Sequence, residues 1–248
     1  MNNLTQIVVG LGEVGGAVRE VLGCDGHDPY KGVIAEGHYD VMHIAIPYNP
    51  AHYDFAALIN EYKTKFTPDL IIIHSTVPLG TSRGLNAVHS PIRGVHPHLA
   101  KGIRTFVKFF GGERAEEAAA LFEAKGVKTK CTSRQEDTEA AKLWDTTQYG
   151  VMILLNKEIH AYCEENGLDF DIVYKEFNAS YNEGYQELGR KEVVRPYLKY
   201  MDGPIGGHCV VQNSHLLNSL SAERIKKANA DYAAVNMKAP QEVVGKTA

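Results

Sequence analysis

Ile7-Val8-Val9-Gly10-Leu11-Gly12-Glu13-Val14-Gly15 is the stretch that decides the fold. Three β-branched residues read as a short buried strand. Val14, Val18, Val21 and Leu22 then recur at helical spacing. Strand, glycine turn and helix in that order raise G-x-G-x-x-G above a chance match and predict a dinucleotide-binding βαβ unit. Gly10 permits the tight turn, Gly12 lets a pyrophosphate approach the backbone, and Gly15 lets the helix pack on the sheet. The helix amides and dipole then face the phosphates. The next strand ends at His27-Asp28-Pro29. Asp28 follows Gly10 by close to the ~20 residues at which an acid grips the adenosine ribose 2′-hydroxyl. A carboxylate there repels a 2′-phosphate, so the expected cofactor is NAD, a preference that Lys31 nearby weakens.

The same alternation continues to about residue 130. Strands are expected at Val41–Ile46, Leu70–Ile73, Arg93–Val95 and Phe106–Phe110, and helices at Ala56–Tyr62 and Ala115–Ala124. Alternating strands and helices predict a doubly wound parallel sheet with helices on both faces, an α/β Rossmann-type fold. Beyond Cys131 the strand signal stops. Ser133-Arg-Gln-Glu136 has the form of a capping box opening a long helix that Asn166-Gly167 would end. Leu143, Thr147, Gly150, Leu154, Ile159 and Cys163 mark its apolar side. A further helix begins at Ile172–Phe177, Tyr181–Arg195 reads as irregular, and Ser214–Ala233 reads as helical. The expected organisation is a nucleotide-binding domain at 1–130, a smaller all-helical domain at 131–236 and a loose tail at 237–248.

Composition narrows the function. The 248 residues are 44% hydrophobic and 23% charged, with net charge −4, so a packed core is expected and broad polyanion binding such as nucleic acid is not. No apolar run approaches the ~20 residues of a membrane helix. The start carries no signal-like segment, which makes the cytoplasm the expected compartment. Cys24, Cys131, Cys163 and Cys209 form no C-x-x-C pair, and His96, His98, His208 and His215 lack helical ligand spacing, so no metal is expected. Cys209 stands apart, because it follows the glycine loop Gly203-Pro-Ile-Gly-Gly-His208 near a helix start, where a thiol is readily ionised.

These segments resemble the UDP-glucose and GDP-mannose dehydrogenases, with the expectation of a short form lacking that family's C-terminal domain. Gly206-Gly-His-Cys209 is similar to the family's cysteine loop, and Ser75-Thr-Val-Pro-Leu-Gly-Thr81 to its Ser-Thr-Val-Pro-Pro-Gly-Thr turn. Glu139-Ala-Ala-Lys142, Asn156-Lys-Glu158 and Cys163 to Asp169 resemble its central helix. The resemblance implies an alcohol that loses hydride to NAD, giving an aldehyde. Cys209 then adds as a thiohemiacetal, a second hydride transfer makes a thioester, and water releases an acid. It also implies Lys142 as the oxyanion-stabilising cation, Thr76 near the reacting water, and a homodimer through the central helix. The cofactor candidates are Gly10, Gly12, Glu13, Val14, Gly15, Asp28, Pro47 and Ser75.

The chain departs from the family pattern where water is activated. Thr146 stands for an asparagine, Asn213 for an aspartate, and Pro97-His-Leu-Ala-Lys-Gly102 for a segment with two glutamates. An amide is not a base, so a two-electron oxidation is expected, with His98 as a replacement acid–base group. Two other readings remain. Gly94-Val-His96-Pro97 and a lysine on the helix after the nucleotide domain resemble prephenate and β-hydroxyacid dehydrogenases, in which His96 or Lys142 would handle the proton. A protein that binds NAD or a nucleotide sugar without catalysis would also keep the turn and lose the base. The substrate is expected to be a small molecule, with a nucleotide sugar one class of it.

Overall fold

The computed structural model describes residues 4–94, 96–206 and 209–238. It divides into two compact units, residues 1–142 and 143–248, and the division falls inside a long helix.

The first unit is a seven-stranded sheet. Its strands are β1 (Gln6–Val9), β2 (Asp25–His27), β3 (Val41–Ile44), β4 (Leu70–Ile73), β5 (Val88–His89), β6 (Lys108–Gly111) and β7 (Thr129–Thr132). They lie in the order β2-β1-β3-β4-β5-β6-β7, parallel except where β6 meets β5. The helices are α1 (Glu13–Leu22), α2 (Phe55–Phe66), α3 (Thr81–Gly84), α4 (Leu99–Thr105) and α5 (Ala115–Glu123). Because alternate side chains leave a strand on opposite faces, β1 divides its residues between two cores. Val8 joins Val18, Ile72, Phe110 and Phe122. Ile7 and Val9 join Met42, Ile44, Phe55 and Ile59 on the other face. The doubly wound Rossmann-type expectation is met.

Several local expectations are corrected. Arg93–Val95 is not a strand: Arg93 and Gly94 are irregular, Val95 lies outside the described residues, and the strand beside β4 is Val88–His89. The Arg93 guanidinium instead stacks over Phe106 and Phe109. At the start of the long helix the Glu136 carboxylate meets Arg83 at 2.9 Å and Arg134 at 3.8 Å. Tyr181–Arg195 is helical over much of its length. A π-helical stretch, Asp171–Glu176, runs into α7 (Phe177–Glu187) despite Gly184.

The long helix is α6 (Gln135–Asn166), and α8 (Cys209–Ser214) and α9 (Leu220–Lys238) complete the second unit. The helix expected at 214–233 begins at Leu220 instead, and Ser214 ends a separate helix. The tail expected at 237–248 begins inside α9, and residues 239–248 lie outside the described residues. In this unit Val210 and Ile225 pack where α6 carries Gly150. A Cβ on Gly150 would meet Ile225 Cδ1 at 2.6 Å and Val210 Cγ1 at 2.7 Å, so glycine is what admits α8 and α9 to this face. Among the described residues no helix is long and apolar enough to cross a membrane.

Candidate active site

In the first unit β1 is flanked by β2 on one side and β3 on the other. Parallel strands that depart to opposite sides leave a crevice at their carboxyl ends, the usual ligand position in such sheets. Gly10 follows β1 there, Pro47 follows β3 and Ser75 follows β4. Gly10 N donates to His27 O at 2.9 Å, and Ser75 Oγ to Ile46 O at 2.5 Å. Pro47 O accepts from the Tyr53 hydroxyl.

The three glycines of the turn serve different ends. Gly10 has φ +85°, which side chains rarely adopt. A Cβ on Gly15 would fall 1.7 Å from Gly10 O, so the turn and helix close only around a bare α-carbon. Gly12 has neither constraint: its φ is −64° and a Cβ there would meet nothing within 4 Å. The protein itself does not require Gly12 to be glycine. A cradle at a helix amino end, open where a side chain would fill it, fits the pyrophosphate of a dinucleotide. Glu13 and Val14 form the first turn of α1 beside it.

Alanine should separate these roles. Gly15→Ala is expected to cost several kcal/mol of stability, about 3 or more, because backbone must move. Gly12→Ala is expected to leave the melting temperature within a few degrees and to weaken NADH binding at least ~10-fold. Thermal melts with fluorescence titration check both. Equal NADH affinity in Gly12→Ala and the parent chain would contradict the role of Gly12.

Asp28 is buried at the end of β2, and its Oδ2 accepts from Leu11 N at 2.9 Å. Lys31 Nζ donates to Leu11 O at 2.7 Å. Acid and base thus hold the middle of the glycine turn from both sides, which the sequence reading of Asp28 as a ribose ligand did not include. His96 Nδ1 lies against the Glu13 carboxylate. His98, exposed, adjoins a cleft of about 330 Å³ with Gly12, Glu13, Gly16, Glu20 and Lys101 on its walls.

The loop that carries Thr76 is pinned from the first turns of α6. Glu139, fully buried, accepts from Gly80 N at 2.6 Å and Ser82 N at 2.8 Å. Two amide donors satisfy a carboxylate that burial would otherwise make costly. His89 bridges the same parts: its Nε2 meets Ser75 O at 3.1 Å and its Nδ1 meets Thr138 Oγ1 at 2.8 Å. A carbonyl only accepts, so Nε2 carries the proton and Thr138 donates to Nδ1. Burial pushes His89 down to about 3, which keeps the ring neutral. Lys142 follows Thr138 by one helical turn and is half-buried, as is Thr76.

In the second unit Cys209 opens α8 and is exposed, whereas Cys163 is buried. Burial pushes the Cys24 thiol up to about 11 and raises that of Cys131, which disfavours their thiolates. Gly207 and His208 of the preceding loop lie outside the described residues. Four residues beyond Cys209, Asn213 is buried, and its Nδ2 donates to Thr146 Oγ1 at 3.2 Å. The two positions that depart from the dehydrogenase pattern on α6 and α8 are therefore partners of one another.

No protein-family model and no curated protein matches this sequence. Solved structures do match in fold. UDP-D-ManNAc dehydrogenase from Pyrococcus horikoshii superposes with a TM-score of 0.68 at 16% identity, over 94% of this chain and 70% of the other. An NDP-N-acetyl-D-galactosaminuronic acid dehydrogenase from Methanosarcina mazei Go1 gives 0.64 at 18% identity, over 94% and 67%. Mycobacterium tuberculosis 3-hydroxyisobutyrate dehydrogenase gives 0.64 at 16% identity, over 93% and 94%. The fold is that shared by nucleotide-sugar and 3-hydroxyacid dehydrogenases.

Proposed function

We propose that this chain is an NAD-dependent dehydrogenase acting on a CH–OH group of a small molecule, with a nucleotide-linked sugar as substrate and Cys209 as nucleophile. The observation that carries the reading is the exposed thiol at the start of α8, in a chain whose glycine turn leaves an open cradle at Gly12.

NAD would be held at Gly10, Gly12, Glu13, Val14 and Gly15, with Asp28, Pro47 and Ser75 around it, and supplies the hydride acceptor when bound. Asp28 favours NAD over NADP by repelling a 2′-phosphate. The Cys209 thiolate adds to the carbonyl carbon of the aldehyde, and the electron pair moves to the carbonyl oxygen. Lys142 is the cation offered to that oxyanion. Thr76 holds water by its hydroxyl, and His98 exchanges the proton of the reacting alcohol. Asn213 cannot accept a proton, and its amide is already engaged with Thr146. With no base to hydrolyse a thioester, the cycle ends at the aldehyde level: capture as the thiohemiacetal keeps the aldehyde from being reduced again, and collapse of that adduct re-forms the carbonyl and the thiolate and releases the two-electron product. A homodimer is part of the same proposal: Trp144, Val151, Leu155 and Tyr162 are exposed apolar residues that recur at helical spacing along α6.

Screening UDP- and GDP-sugars and small hydroxyacids for NADH absorbance tests the reading. One NADH per sugar nucleotide is expected, and Asn213→Asp is expected to raise the yield toward two. Two NADH from the unaltered chain would overturn the shortened cycle. A second reading, a β-hydroxyacid dehydrogenase using Lys142 or His96, is supported by the fold match to the 3-hydroxyisobutyrate enzyme, whose TM-score of 0.64 equals that of the Methanosarcina mazei nucleotide-sugar enzyme. Turnover of hydroxyacids alone would select it.

A further inference from the structure

The segment that leads into Cys209 is gripped by side chains that the proposed chemistry leaves unused. Lys157, on α6 and only 6% exposed, donates from Nζ to Met201 O at 2.6 Å and to Gly203 O at 2.7 Å. Its ammonium also lies over the rings of Tyr200, at 5.4 Å, and Tyr232, at 4.8 Å. Asn156, the preceding residue, donates from Nδ2 to Leu198 O at 3.0 Å. From α9, Asn229 Oδ1 accepts from Ile205 N at 3.0 Å.

An ammonium withdrawn from water is expensive unless its donors are met. Burial lowers the Lys157 pKa, and the charge of Asp202 opposes that shift. Two carbonyls and two aromatic faces compensate the cation here. The gripped chain has little shape of its own. Residues 198–206 form no helix or strand, and Gly203 sits at φ +81°. Such a loop adopts the conformation that its anchors impose. Lys157 reaches two carbonyls, more than any other anchor named here, and it is the one that carries a charge.

We propose that Lys157 is the positioning residue of the thiol loop. Its ammonium fixes the Met201–Gly203 turn and, through it, sets the reactivity of Cys209. The proposal rests on the reading of Cys209 as nucleophile. Loss of the anchor is expected to raise the apparent ionisation midpoint of the thiol, because the first amides of α8 favour thiolate only while the loop before them is held.

The test is iodoacetamide labelling of Cys209 in the full chain from pH 5.5 to 9.5, read by mass spectrometry of its peptide. In Lys157→Met the midpoint is expected to rise by about half a unit, with roughly threefold slower labelling at pH 7. Lys157→Arg should restore the midpoint, and Lys227→Met, on the exposed side of α9, should leave it unchanged. An unshifted midpoint in Lys157→Met, or no rescue by arginine, overturns the proposal. Should Lys157→Met not fold, Lys157→Gln carries the test, with a smaller shift in the same direction expected and no shift overturning it. Labelling of the unaltered chain at the rate and midpoint of a free thiol would count against the nucleophile reading instead. The anchor itself is then read by amide exchange over 198–206, which should quicken at least tenfold in the Lys157 variant.

Discussion

Cys209→Ser is expected to lower turnover of the alcohol substrate by at least ~10³-fold while leaving NADH affinity within twofold. A serine hydroxyl keeps the size and hydrogen bonding of the thiol but is scarcely ionised near neutrality, so nucleophilic addition is what it removes. The glycine turn belongs to the other compact unit, and its cradle is built from Gly10, Gly12 and Gly15, so cofactor binding should persist. Steady-state NADH production with a separate fluorescence titration separates the two effects. Unchanged turnover would make Cys209 a bystander and favour proton transfer by Lys142 or His96. Joint loss of turnover and NADH binding would point to misfolding rather than chemistry.

Stability should fall steeply in mild acid. A buried polar row crosses the sheet of the first unit. His43 Nε2 meets Gln6 Oε1 at 3.1 Å, and His43 Nδ1 meets His74 Nε2 at 3.0 Å. His74 Nδ1 meets Ser90 O at 2.8 Å, and Lys108 Nζ donates to the same carbonyl at 3.0 Å. The carbonyl of Ser90 fixes the direction of the chain. His74 Nδ1 donates to it, so His74 Nε2 accepts from His43 Nδ1, and His43 Nε2 must accept in turn. The Gln6 side-chain amide therefore presents its nitrogen to this ring.

Every ring in this row is neutral. Burial pushes His43 down to about 3 and His74 well below its ordinary value, and Lys108, also buried, is held far below the usual lysine range. His43 and His89 bind no proton in the folded chain at pH 5 but do so in the unfolded chain, and burial moves His74 the same way. Folded pKa values below the unfolded ones mean stability that is present above about pH 6.5 and is lost as pH falls toward about 3. Between pH 7.5 and 5 His43 and His89 each contribute a loss of about 2 kcal/mol, or about 4 kcal/mol together, and His74 acts in the same direction. That approaches the lower end of the whole stability of many domains, roughly 5–15 kcal/mol. Lys108 acts in the same direction at higher pH, because the unfolded amine stays protonated up to about pH 10.5. Urea denaturation at pH 5, 6, 7 and 8 measures the slope. A difference below about 1 kcal/mol between pH 7.5 and 5 would mean that the buried row takes up protons without unfolding.

The local parts of this structure were legible in the sequence. Ile7–Val9, the glycine turn and α1 are set by near neighbours, as is α2, whose first amides Asp54 caps at 2.9 and 3.0 Å. What escaped depends on distant partners. Val88–His89 is two residues long and carries no periodic pattern, so its place in the sheet is set by Ile72–Ile73 and Gly111. Thr129–Thr132 is mostly polar because β7 is an edge strand. His43 and His74 are 31 residues apart, and nothing in either segment announces the other. Glu139 was legible as part of Glu-x-x-Lys, but its grip on Gly80 and Ser82, more than 50 residues earlier, was not. Lys157 likewise showed only its neighbours in the sequence, and its work on residues 201 and 203 needed the fold.

The central proposal joins a dinucleotide at the glycine turn to the thiol of Cys209. A crystal structure of the full chain with NAD and a bound alcohol analogue measures it directly. The account predicts the pyrophosphate against Gly12 and the Cys209 sulfur within roughly 7 Å of the nicotinamide C4, two reacting contacts of about 3.5 Å each. A sulfur far outside that range with the cofactor seated, or a glycine turn that no dinucleotide occupies, would contradict it.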